Sequence, residues 1–187
     1  MQRKTRLTKL VFLAVFSGIA FLMEYLEFPI PGLPSFLKVD FSEIPALIAG
    51  LIYGPVAGIV VEFLKNTLHF ALKSGDPIGS MANFLAGSIF VTMTVWISRK
   101  VQQIKGLVVG LLTATLIMAV VMTITNWYVI LPAYTAFMNM VLSEPAKLTM
   151  ISGIAIFNVI KGILIAAVFI PLYTKLKPVL EQRLQFR

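Results

Sequence analysis

The stretch Glu43-Ile-Pro-Ala-Leu-Ile-Ala-Gly-Leu-Ile-Tyr53-Gly54-Pro55-Val-Ala-Gly-Ile-Val-Val-Glu62-Phe-Leu-Lys65-Asn66-Thr-Leu-His69-Phe-Ala-Leu72 decides the fold. Read as one straight helix it would be ~45 Å long, too much for a single crossing of a ~30 Å hydrocarbon layer. Gly-Pro is a strong helix breaker, because proline lacks the N–H a continuing helix needs. The reading is therefore a short helix over 43–53 and a second over 55–72.

Four other segments, about 7–28, 78–98, 106–131 and 149–174, have the length and apolarity of membrane spans. The chain of 187 residues is 58% apolar and 13% charged, with a mean hydropathy of +0.91. Soluble domains are usually near half apolar and a quarter charged, so a water-soluble fold is excluded. Sixteen Lys and Arg face eight Asp and Glu, a net +8. The apolar runs are too long for a nucleic-acid module, so this excess is read as orienting the spans and attracting anionic lipid headgroups.

Charge arbitrates the split at Gly54. Six spans with an inside N-terminus put Arg3, Lys4, Arg6, Lys9, Arg99, Lys100, Lys105, Lys175, Lys177, Arg183 and Arg187 inside, against Lys38, Lys73 and Lys147 outside. A single crossing over 43–72 would divide the same residues six inside to eight outside, against the positive-inside tendency. The expectation is an all-α membrane protein. It has one domain over 1–187, six transmembrane helices, both termini cytoplasmic and a ligand pocket open to the outer side. Helix 43–53 is too short to cross alone, so the loop before it must dip into the protein, where non-helical backbone is covered. The outer loops are long: Phe28 to Ser42 with three prolines, Lys73 to Gly79, and Leu131 to Lys147. The basic N-terminus lacks a small-residue cleavage site after its apolar run, which reads as a retained first span rather than a signal peptide.

Chemistry is scarce. With no Cys there are no thiolate nucleophiles or disulfides, and one His, His69, builds no cluster. No G-x-x-x-x-G-K-[ST] loop occurs, so ATP-driven work belongs to a partner. H-E-x-x-H and G-x-S-x-G are absent too, which disfavours an enzyme. Ionisable side chains inside spans are costly and mark function by default. Lys65 stands with Glu62 and Asn66, and Lys161 shares a helix face with Asn158. Asn83 and Asn126 add amides from two more helices, and together they can line one polar cavity. Plainer readings stand beside this one: Glu62–Lys65 as a structural ion pair, Asn66 and Asn83 as interhelical glue, His69 as structural, and Trp127, Tyr128 and Tyr134 as belt aromatics, which suit a pocket wall equally. Ala14-Val-Phe-Ser17-Gly18 is a small-xxx-small pattern, suited equally to internal packing and to a partner surface.

Taken in order, Lys38-Val-Asp-Phe-Ser-Glu-Ile-Pro45, Gly54-Pro-Val-Ala-Gly58, Lys65-Asn66, Gly75-Asp-Pro-Ile-Gly79, Ala82-Asn-Phe-Leu-Ala-Gly87 and Asn158-x-x-Lys161 resemble the substrate-binding subunits of energy-coupling factor (ECF) vitamin transporters, the riboflavin-specific ones most. The resemblance spans almost the whole chain. It implies a non-enzymatic subunit without a cofactor that captures riboflavin outside. It also implies a transmembrane coupling protein and two ABC ATPases as partners. By the same resemblance helix one docks on the coupling protein through small residues, here Ala14, Ser17 and Gly18. Flavin chemistry then assigns Leu37, Phe41 and Ile78 as walls for the ring. Polar contacts fall to Asp40, Asn126, Asn158 and Lys161, with loop backbone at Pro77–Gly79 and, less directly, Asn83. The alternatives are a subunit for another vitamin (thiamine, pantothenate or a pterin) and a small lipid-acting membrane enzyme.

Overall fold

The computed structural model describes residues 2–34, 36–101, 103–139 and 141–185, without the side chains of 2–5, 103 and 179–185. Arg187 of the basic set and the loop residues Ser35 and Met140 lie outside those residues, and Arg3, Lys4 and Arg183 are among those described by backbone alone. Seven α-helices follow in chain order: α1 Gln2–Glu24, α2 Glu43–Tyr53, α3 Pro55–His69, α4 Pro77–Lys100, α5 Gln103–Thr125, α6 Leu131–Met138 and α7 Glu144–Gln185. Two short strands, β1 Phe28–Pro29 and β2 Lys38–Val39, pair antiparallel between α1 and α2. Among the described residues, four stretches are long and apolar enough to cross a membrane: Arg6–Glu24, Pro77–Lys100, Ile104–Met138 and Glu144–Pro178.

The split at Gly54 is real. Gly54 has φ 101°, a conformation that favours glycine, and Pro55 opens α3 at the position where a missing N–H costs nothing. α2 is short but deeply set, with every residue from Glu43 to Gly50 buried. Close approach explains its fit. A Cβ on Gly58 would stand 2.4 Å from Val91 Cγ1 and 3.0 Å from the Ala46 carbonyl oxygen, so α2 and α3 meet backbone to backbone and the Val91 side chain of α4 packs onto the same glycine. In lipid, where hydrophobicity does not drive helices together, such contact supplies the association. The main core fills the space between these helices and α1, α5 and α7, around Leu47, Val61, Phe90, Leu111, Met118 and Phe169.

Several expected boundaries move. α1 stops at Glu24 rather than 28, and the strand pair takes up the chain beyond it. α3 ends at His69 and loosens into a π-helical turn over Phe70–Ser74. The segment expected as a loop from Leu131 is mostly helix. A π-turn over Asn126–Ile130 leads directly into α6, which closes at Asn139 with φ 50°. Pro132 does not break this helix. Sitting beside the π-turn, it falls where the regular hydrogen-bond ladder is already interrupted, so its missing N–H breaks nothing further. α7 starts five residues before the expected 149 and runs on past 174, carrying Pro171 and Pro178 inside it.

Candidate functional site

A cavity of about 470 Å³ opens at the end of the bundle where α1 and α3 stop and α4 begins. Its size falls within the usual ~300–1,000 Å³ of small-molecule sites. Both π-turns border it, supplying Lys73 and Ser74 from one and Asn126 and Ile130 from the other. Loop one roofs it through Phe36, Leu37, Lys38 and Asp40. Leu37 is held down by a small second core of Leu131, Ile151 and Ile154.

The polar wall is an ordered relay. Glu43 Oε1, at the start of α2, lies 2.7 Å from Lys161 Nζ and 3.5 Å from Lys65 Nζ, bridging both ammoniums. Lys161 also lies 3.4 Å from Asp40 Oδ2 and donates to Asn83 Oδ1 at 3.2 Å. The Asn83 amide nitrogen then donates to Glu24 Oε1 at 2.9 Å. One floor away from the cavity, Lys65 pairs with Glu62 at 3.0 Å and donates to the Ser42 hydroxyl. All of these groups except Asn83 are buried, so each charge relies on its neighbours for solvation. Burial alone would raise the Asp40 carboxyl, but the Lys161 and Lys65 ammoniums hold it well below the usual carboxylate range.

Asn126 and Asn158 are buried on α5's continuation and on α7. Each donates one amide N–H back to its own helix, to the Met122 carbonyl at 2.8 Å and the Ile154 carbonyl at 2.9 Å. Because those partners are carbonyls, the side-chain oxygens are left as the remaining acceptors. At the rim, Glu27 Oε1 accepts from Lys38 and Lys73, both at 2.8 Å, tying loop one to the turn after α3. Partial burial works to raise Glu27, and the hydrogen bonds from Lys38 and Lys73 outweigh it, leaving its carboxyl below the ordinary value. Opposite, Asp76 caps α4 by accepting from the Ile78 and Gly79 N–H groups, and Tyr134 of α6 donates to its other oxygen.

The structure brings Leu37, Asp40, Gly79, Asn83, Asn126, Asn158 and Lys161 around one cavity. It does not bring Phe41, Pro77 or Ile78 there. Phe41 turns into the main core with its ring 6.3 Å from Phe28, and Pro77 and Ile78 belong to the capped first turn of α4. On α1, Ala14 is exposed and nothing stands within 4 Å of a Cβ on Gly18, whereas Ser17 is buried and bonds the Leu13 carbonyl. Ser17 therefore leaves the outward small-residue face. Sequence reasoning missed Glu24, Glu27, Lys73 and Asp76 as cavity-lining residues, and of the aromatics it weighed as pocket walls Tyr134 does line the cavity. Their polar character at helix ends was visible, but nothing in the sequence signalled that these ends converge.

A bundle of membrane-length helices around a roofed cavity with apolar walls and convergent amides defines a membrane-embedded small-molecule-binding protein. The family model for the ECF transporter, substrate-specific component, matches residues 8–173, and the chain belongs to that family. It is 47% identical over 183 residues to the riboflavin transporter FmnP of Bacillus subtilis (strain 168), covering 95% of this chain and 96% of that one. It is 42% identical over 175 residues to the riboflavin transporter RibU of Staphylococcus aureus (strain TCH60), covering 93% of each. A solved S component of a bacterial ECF transporter superposes with a TM-score of 0.82 at 41% identity, covering 96% of this chain and 99% of that one. ThiT from Listeria monocytogenes shares the fold at a TM-score of 0.67 and 16% identity, covering 94% and 98%. The chain is thus a multi-pass protein of the bacterial cell membrane, and a transporter component rather than an enzyme.

Proposed function

We propose that the chain is the riboflavin-binding subunit of an ECF transporter, taking the vitamin from outside and passing it inward when joined to its energising module. The observation that carries this is the single cavity in which buried Asn126, Asn158 and Lys161 face apolar residues of loop one and α7. Riboflavin pairs a flat, neutral ring with a chain of hydroxyls. The ring fits among Leu37, Met122, Ile154 and Phe157. The hydroxyls donate to the Asn126 and Asn158 side-chain oxygens, while Lys161, fixed by Glu43, Asp40 and Asn83, fills the polar end.

The whole chain acts as one domain of six membrane segments, α2 being a short buried one, with both ends cytoplasmic and the cavity facing out. Two facts support this. Lys38 and Lys73 sit at the cavity end, and Arg99 lies beside Gly54 at the break between α2 and α3. The partners are a transmembrane coupling protein, met by the Ala14–Gly18 face, and two ABC ATPases, since the chain carries no nucleotide loop of its own. Titrating detergent-purified protein with riboflavin tests the reading: its fluorescence is expected to be quenched to a one-to-one end point. Fluorescence that stays linear with added riboflavin would sink it.

A further inference from the structure

Resting on the riboflavin reading, we infer that Glu27 is a specificity-determining residue that makes the cavity reject a phosphate monoester of its ligand. The charges around the cavity are already matched. Lys38, Lys73 and Lys161 are its only lysines among the described residues, and no arginine lines it. Each has a carboxylate in contact: Lys38 and Lys73 meet Glu27 at 2.8 Å, and Lys161 meets Glu43 at 2.7 Å. Four acids, Glu24, Glu27, Asp40 and Asp76, line the same space, so the three lysines have no excess over the carboxyl groups around them.

A phosphate monoester carries nearly two negative charges at neutral pH and wants unpaired cations or free N–H donors. The cavity offers the reverse. Each of its two buried amides gives one of its two N–H groups to its own helix, and the first-turn N–H groups of Ile78 and Gly79 are taken by Asp76. Hydroxyl donors find acceptors there, and an added dianion meets carboxylates. Only the rim holds cations placed to receive a phosphate, and a single oxygen of Glu27 engages both of them. Lys73 is further fixed over the Tyr25 ring at 4.6 Å, so it does not swing away to seek another anion.

Binding of riboflavin and of riboflavin 5′-phosphate to detergent-purified protein, measured side by side by fluorescence quenching, tests this. The wild type is expected to prefer riboflavin by at least about tenfold, as unfavourable like-charge contacts demand. Glu27→Gln, which frees both lysines while keeping the side chain's shape, is expected to narrow that preference by about tenfold through tighter phosphate binding. Adding Lys38→Gln and Lys73→Gln should abolish the gain, a result that a merely structural role for Glu27 does not produce. Wild type binding both flavins within about threefold overturns the inference whether or not any variant folds. So does a folded Glu27→Gln protein with an unchanged ratio. Wild type that binds neither flavin instead overturns the functional reading on which the inference rests.

Discussion

Lys65 and Lys161 are both buried lysines facing carboxylates, yet they do different work. Lys65 Nζ sits between Glu62 and Glu43, away from the cavity. Removing it strands the buried Glu62 carboxylate and leaves Glu43 to Lys161 alone, and breaking a buried pair in this way costs about 3–5 kcal/mol. Lys65→Ala is therefore expected to lower the unfolding temperature sharply in a detergent thermal melt; a melt matching wild type would show that the network is not structural. Lys161 reaches the cavity, so Lys161→Ala and Asn158→Ala are each expected to weaken riboflavin binding by about 1–3 kcal/mol, the cost of unmet polar partners. Calorimetric titration checks this, and unaltered affinity in both would remove them from the site. The lysines themselves stood out in the sequence as charges inside apolar helices. Of their partners only Glu62, three residues before Lys65, was legible there: Asp40 is 121 residues from Lys161, and only folding brings them together.

Small residues set the packing of the helices, and the glycines are not equivalent. A Cβ on Gly58 meets Val91 Cγ1 at 2.4 Å and the Ala46 carbonyl, whereas one on Gly18 meets nothing within 4 Å. Gly58→Val is expected to cost about 1–3 kcal/mol by forcing α3 off α2 and α4, read as an earlier denaturation midpoint. Gly18→Val is expected to leave that midpoint in place and to reduce riboflavin uptake in cells that also express the coupling module. Uptake equal to wild type would remove α1 as the docking face. Both glycines sit in small-residue helical patterns that look alike in sequence; which of them faces a neighbour is decided by the packing of whole helices. The same holds for α6, expected as a loop, where the π-turn before Pro132 allows a helix instead.

Across the whole molecule, the cavity is closed by loop one and the turn after α3, joined through Glu27. Its carboxyl titrates below the ordinary 4.5 because the two lysines favour the charged form. The clasp's contribution is therefore fully present above about pH 4.5 and is lost as pH falls through the depressed value. Riboflavin dissociation is expected to stay slow and flat from neutral pH down to that point and to quicken below it. In Glu27→Gln the acceleration at low pH should be absent. Stopped-flow release in detergent measures both, and a release rate rising between pH 7 and 5 would point to a different group. On the proposed reading, capture at one end and docking along α1 divide the molecule by function, the first relying on buried polar contacts and the second on an exposed apolar face.

Hydrophobic runs, the Gly54-Pro55 break and the uneven spread of lysines and arginines were enough to establish a helical membrane protein, the separation of α2 from α3, and the polar residues too costly to be idle in lipid. Those properties are local, because a span's apolarity and a proline's missing N–H are carried by consecutive residues. Tertiary structure alone decided that Glu43 bridges two lysines, that Phe41 turns into the core while Leu37 faces the cavity, and that Glu27 joins two distant loops. A side chain's direction and charge partners depend on how helices rotate and meet, and residues far apart in the chain encode that jointly.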